Sequence, residues 1–262
     1  MISLHDWIFS IYPPNSGVEG AWGILHIITL VVILAIIVAM PFVFRNKGEK
    51  PRRIFIFTLA AIIFTFEVAR RIIGFSRGVE MDFTAVMRTL LPRPWCAISC
   101  WCLMASVIVN KKFFYNFTAA TACLCAIVFF AYPTVGFNNK YILFENLYSI
   151  VTHAALMIGA FSLLTLKFTD FDYKKGFWKE LICLAVTFIY GFIEIFLLKI
   201  EADPLYFMPG NEIQEIFGMD YPVYIVLYIL FLIVYFCAFY AVQYFVTKKK
   251  NFVWFKKEEA AR

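Results

Sequence analysis

Apolar residues run along this chain in long blocks separated by short polar connections. Seven blocks, at about 22–44, 54–75, 85–109, 113–131, 141–166, 177–200 and 221–246, each hold 19 to 26 mostly apolar residues. At a rise of about 1.5 Å per residue, helices of that length cross a hydrocarbon core of about 30 Å. The pattern predicts an all-α, polytopic membrane bundle of seven transmembrane helices, forming a single domain over residues 1–262. Only the third block is broken near its start, where Pro92 and Pro94 must kink or unwind the helix. Backbone groups freed by those prolines need partners inside the protein, which places this stretch in the bundle interior or against a cavity. There is no internal repeat, low-complexity segment or separate soluble domain.

Composition agrees with this reading. The chain is 62% hydrophobic and 16% charged, with a mean hydropathy of +0.77, more apolar surface than a soluble core of 262 residues would bury. The first twenty residues lack the basic start, apolar run and small-residue cleavage site of a signal peptide, and Trp7, Tyr12, Pro13 and Pro14 suggest an interfacial segment. Lysine and arginine gather in the first, third and fifth connections and in the tail, whereas the sixth carries Glu201, Asp203, Glu212, Glu215 and Asp220. By the positive-inside rule the amino terminus lies outside and the carboxyl terminus in the cytoplasm. The net charge of +6 is therefore a topology signal, and no nucleic-acid partner is implied. A multi-pass integral membrane protein is expected.

The second connection departs from that rule. Alternation places it outside, yet Arg70, Arg71, Arg77, Arg88 and Arg93 lie in or beside it, against Glu67, Glu80 and Asp82. Guanidinium groups favour bidentate contact with phosphate, so Arg70, Arg71, Arg88 and Arg93 are candidate headgroup-binding residues. Snorkelling at the interface and helical ion pairs, such as Glu67 with Arg70 or Arg71, account for the same residues equally well.

Two further residues carry candidate chemistry. Cys96 ends the run Leu91-Pro92-Arg93-Pro94-Trp95-Cys96, and His153 lies inside the fifth block. Ionisable groups within a membrane are costly and mark function by default, although polar residues also serve as helix glue. Each stands about a dozen residues into a block entering from outside, so both sit roughly 15–18 Å below the outer edge. If they meet, they form a thiol nucleophile with its base. The remaining cysteines among the seven have neither disulfide nor metal-site spacing and are expected to be small buried hydrophobes; no metal or cofactor is expected.

Around the same positions the chain resembles the YwaF family of bacterial integral membrane proteins. The resemblance rests on Leu-Pro-x-x-x-Cys opening the third helix, a histidine on the fifth, and Ala202-Asp203-Pro204-Leu205-Tyr206-Phe207 followed by Pro209, Gly218, Tyr221-Pro222 and Tyr224. It covers nearly the whole chain. Departures occur at Asp203 for the usual asparagine, at Tyr221 for a tryptophan, and at Arg93 to Trp95 for a Leu-His-Leu-like run. The family is similar to an animal membrane acyltransferase that remodels ether phospholipids through a cysteine and a histidine. The resemblance therefore implies acyl transfer between phospholipid and lysophospholipid, with Cys96 as nucleophile and His153 as base. A third group should orient His153; Glu67, Glu194 and Asn146 are the candidates. A small-solute permease or substrate-capture subunit using the same polar cluster is the alternative, weakened because the prolines of the third block have no counterpart in another half.

Overall fold

The computed structural model describes residues 3–9, 22–76, 82–92, 95–132, 136–137, 142–171, 176–198 and 205–248. Tyr12, Pro13, Pro14, Arg77, Arg93, Pro94, the 202–204 part of the late motif and the lysine-rich tail beyond 248 lie outside them. Every regular element among the described residues is helical: α1 (Leu4–Phe9), α2 (Ile24–Val43), α3 (Glu49–Ser76), α4 (Phe83–Leu90), α5 (Trp95–Val109), α6 (Lys112–Ala131), α7 (Phe144–Thr165), α8 (Phe177–Phe192), α9 (Glu212–Phe217) and α10 (Tyr221–Lys248). A π-helical turn, Ile193–Leu197, continues α8.

Five of these are long and apolar enough to cross a membrane: α2, α6, α7, α8 with its π turn, and α10. The other two expected blocks differ for identifiable reasons. Helix α3 has 28 residues, about 42 Å of rise, but carries Glu67, Arg70 and Arg71 in its C-terminal half. The block expected at 85–109 is two helices. Asp82 caps α4 by accepting from the Ala85 amide at 2.6 Å, and α4 ends at Leu91, whose extended backbone (ψ 143°) is the conformation favoured before Pro92. Helix α5 then restarts at Trp95, so Cys96 is its second residue rather than a mid-helix one.

Helices α6 and α7 form the centre. Both carry small, deeply buried residues, Ala119, Ala120, Ala122 and Ala126 on α6 and Ala155 and Ala160 on α7, which let membrane helices approach closely, while Gly159 of α7 makes room for Leu103 of α5. Helices α2 and α10 lie outermost, with Val31, Leu34, Val38, Val226, Leu230 and Val234 exposed as lipid-facing surface. At the far end, Asn116 clamps the 166–171 connection through Asp170, accepting from its amide at 2.9 Å and donating to its carbonyl at 2.5 Å, and also donates to the buried Glu180 at 2.8 Å.

The late motif has a structural logic of its own. Tyr206 takes a left-handed backbone (φ 59°), and Tyr224 and Tyr221 hold this bend by donating to the Tyr206 and Phe207 carbonyls at 2.8 and 2.6 Å. The bend drives Leu205, wholly buried, against Gly191 on α8. A Cβ on Gly191 would stand 2.3 Å from Leu205 Cδ1 and 2.9 Å from its Cγ. Gly191→Ala should therefore overpack this contact and lower stability by about 1–3 kcal/mol, read as a lower midpoint of thermal unfolding in detergent.

Candidate functional site

The polar centre of the bundle is built on Glu67, which is 1% exposed and sits on the inner face of α3. Its carboxylate takes hydrogen bonds from three elements: Arg71 one turn along α3, Tyr148 on α7, and Trp101 on α5, the last at 3.3 Å. One buried charge thus ties together the helices that carry the cysteine and the histidine. The same Arg71 guanidinium donates to the Glu67 carbonyl at 2.9 Å and, through Nε, to the Leu90 carbonyl at 3.2 Å, fixing the end of α4. It also lies over the Trp101 ring at 5.1 Å, while Arg70 lies over Tyr148 at 5.2 Å.

Cys96 opens α5 directly after the proline break. Its own amide and that of Ala97 lie beside the sulfur, as first-turn N–H groups without intrahelical acceptors do. Arg70 is the cation within electrostatic reach and Glu67 the anion. The turn is held in place by its neighbour Trp95, whose indole donates to the Tyr228 hydroxyl at 2.8 Å on α10. Tyr228 in turn packs edge-on against Phe207 of the late motif, so the segments bearing the family resemblance converge on the start of α5.

His153 sits on α7, 8% exposed. Its Nδ1 lies 2.7 Å from the Ser149 carbonyl one turn back. A carbonyl oxygen only accepts, so Nδ1 carries the proton and Nε2 keeps its lone pair. The ring stacks face to face on Phe129, with centroids 3.7 Å apart and planes 9° from parallel. Phe129 is one helical turn along α6 from Cys125, which lies within electrostatic reach of Cys96. Cys96 and His153 both lie within electrostatic reach of Glu67, and no hydrogen bond joins the two.

The other candidates are placed as follows. Asn146 is near the start of α7 and accepts from the Leu143 amide at 3.2 Å, the action of a helix cap two turns before His153. Glu194 is wholly buried in the π turn and accepts from Tyr190 at 2.5 Å, and Tyr190 also reaches the Pro92 carbonyl at 3.2 Å. Glu194 is thus linked to the proline break rather than to the imidazole. Arg70 and Arg71 line a cavity of about 170 Å³ between α3, α4 and α7, together with Gly74, Thr89, Glu145 and Tyr148. Arg93 and the side chain of Arg88 lie outside the described residues.

Several participants carried no distinguishing signal in the sequence: Tyr148 and Trp101, which share the Glu67 carboxylate, and the Ser149 carbonyl, which sets the histidine tautomer. All seven cysteines are free thiols, and no group of three or more His, Cys, Asp or Glu residues suited to a metal ion occurs among the described residues.

Compared with known proteins, the chain matches no curated protein and no solved structure. One protein family does match, and it does so from residue 21 to residue 240, a stretch that includes the Glu67 cluster, Cys96, His153 and the late motif. Match and architecture agree on a multi-pass membrane protein, and the chain belongs to the TMEM164 family.

Proposed function

We propose that this protein is a membrane-embedded acyltransferase that moves a fatty acyl chain between phospholipids through a thioester on Cys96, with His153 as base. The observation that carries this reading is the tautomer of His153: with Nδ1–H given to Ser149, Nε2 is the basic nitrogen, on a ring fixed by Phe129. The sequence resemblance to bacterial YwaF proteins implies the same pair, and the stretch matched by the TMEM164 family contains both residues.

The chemistry runs in two balanced halves. Cys96 Sγ attacks the ester carbonyl of a phospholipid while its proton passes to His153; the C–S bond forms, the ester C–O bond breaks, and His153 returns the proton to the departing lysophospholipid oxygen. An acceptor hydroxyl then attacks the thioester, giving its proton to His153 and restoring the thiol. First-turn amides of α5 are the donors for the carbonyl oxygen as it becomes negative. In this reading Glu67 supports the site by joining its helices, Glu194 supports the proline break, Asn146 supports the start of α7, and Arg70 and Arg71 face the headgroup, with Arg88 and Arg93 retained as headgroup-binding candidates on sequence alone.

The topology in this proposal is seven spans, with the α4–α5 pair and α3 completing the five apolar helices, the amino terminus outside and the carboxyl terminus in the cytoplasm of a bacterial cell. The arginines and the Glu67 cluster then lie in the outer half. The test is turnover of labelled phospholipid with lysophospholipid by purified protein. Cys96→Ser should reduce acyl transfer to background, while transfer that survives the substitution sinks the thioester route, and saturable uptake of a small solute without any lipid turnover would point to a permease.

A further inference from the structure

We infer that the cavity between α3, α4 and α7 is a binding site for a singly charged phosphodiester, the group joining glycerol to the headgroup of a phospholipid. This rests on the acyltransferase reading for its biological use, but the site stands on its own geometry. Arg71 spends Nη1 on Glu67 and Nε on Leu90, whereas its Nη2 is buried with no hydrogen-bond partner among the described residues. A buried guanidinium donor without an acceptor is costly, and native proteins rarely tolerate one. Arg71 lines the cavity, and Arg70, held over the Tyr148 ring, brings a second guanidinium to the same space. Two guanidinium groups around one opening are the usual recognition pattern for a phosphate oxygen pair.

Size and charge narrow the ligand further. At about 170 Å³ the cavity is far larger than the roughly 10–15 Å³ that one water requires. The surrounding charges are already close to balance, because Glu67 neutralises Arg71 and Glu145 stands within electrostatic reach of Arg70. A dianionic monoester would add two uncompensated charges beside Glu145; a diester adds one. Gly74 lines the wall, and a Cβ there would come within 3.1 Å of the Thr89 methyl.

Calorimetric titration of the purified protein with dihexanoyl-phosphatidylglycerol, a short-chain phosphodiester lipid, tests the site, with dihexanoylglycerol and inorganic phosphate as the other probes. Wild type should bind the phospholipid, and Arg71→Lys, which keeps a charge beside Glu67 but removes Nη2, should weaken that binding at least about tenfold without affecting dihexanoylglycerol. Should Arg71→Lys fail to fold, Arg70→Gln, on an exposed side chain, is expected to weaken phospholipid binding in the same sense. Equal phospholipid affinity in the wild type and the folded arginine variants, or dihexanoylglycerol binding as tightly as the phospholipid, overturns the site. Inorganic phosphate binding as tightly as the lipid overturns the diester assignment in favour of a free-phosphate site. Phospholipid binding that persists in a protein showing no acyl transfer would refute the proposed reaction and leave this site intact, so the two failures are distinguishable.

Discussion

Replacing Glu67 with alanine should destabilise the protein by about 3–5 kcal/mol, because it leaves the Arg71 guanidinium buried beside Trp101 without a counter-ion. The carboxylate is 1% exposed and serves donors on α3, α5 and α7, so its loss also orphans the Tyr148 hydroxyl and the Trp101 indole. Glu67→Gln loses the charge and replaces one of the two accepting oxygens with an NH2 donor, but keeps the other for part of this set; it should fall between wild type and alanine. Unfolding followed by denaturant titration in detergent gives the comparison. A Glu67→Ala midpoint indistinguishable from wild type would mean that the carboxylate is not the junction of the three helices.

The second large effect is on chemistry. His153→Ala should lower the rate of acyl transfer by about 10²–10⁴-fold, the range typical for removal of a positioned general base, with a much smaller change in the lipid concentration giving half-maximal rate. Stability is the necessary control, since the ring also stacks on Phe129 and its removal leaves space against α6. Phe129→Leu provides a second view of the same idea: it keeps an apolar neighbour but removes the stacking face, and should reduce the rate while leaving Nδ1–H on Ser149. A His153→Ala protein that folds and turns over lipid at the wild-type rate would remove histidine from the mechanism.

How much of this was legible in the sequence depends on the kind of signal each residue gives. Glu67, Arg70, Arg71, Cys96 and His153 stood out because charge or thiol chemistry is rare in an apolar block, and Pro92 marked the break before α5. The helical spacing of Glu67 and Arg71 also showed that they could pair, and the structure makes that pair. By contrast, Tyr148 and Trp101 were hidden in a chain with 19% aromatic residues, where one more ring carries no information. The Ser149 carbonyl could not be found at all from residue types. Every helical residue has a carbonyl one turn back, and only the side-chain rotamer of His153 decides that this one is used. The place of Cys96 along its helix differs for a related reason: counting from residue 85 treats α4 and α5 as one helix, whereas the extended backbone at Leu91 ends the first and Trp95 begins the second.

Arg70 and Arg71 illustrate how two readings of one residue type can both apply. Sequence offered ion pairing or headgroup contact as alternatives; Arg71 makes the ion pair through Nη1 and bonds Leu90 through Nε, and Nη2 is the donor that the proposed phosphodiester would take. A lysine would offer no such division, since its ammonium is a single point of charge.

The central claim is a covalent acyl-enzyme on Cys96, and intact-protein mass spectrometry after brief exposure to a phospholipid of defined acyl chain measures it most directly. The account predicts an added mass equal to one acyl group on wild type, removable by hydroxylamine and absent from Cys96→Ser. It also predicts far slower appearance of that mass in His153→Ala. An adduct that persists unchanged in Cys96→Ser, or lipid turnover by wild type with no adduct at any time sampled, would contradict it.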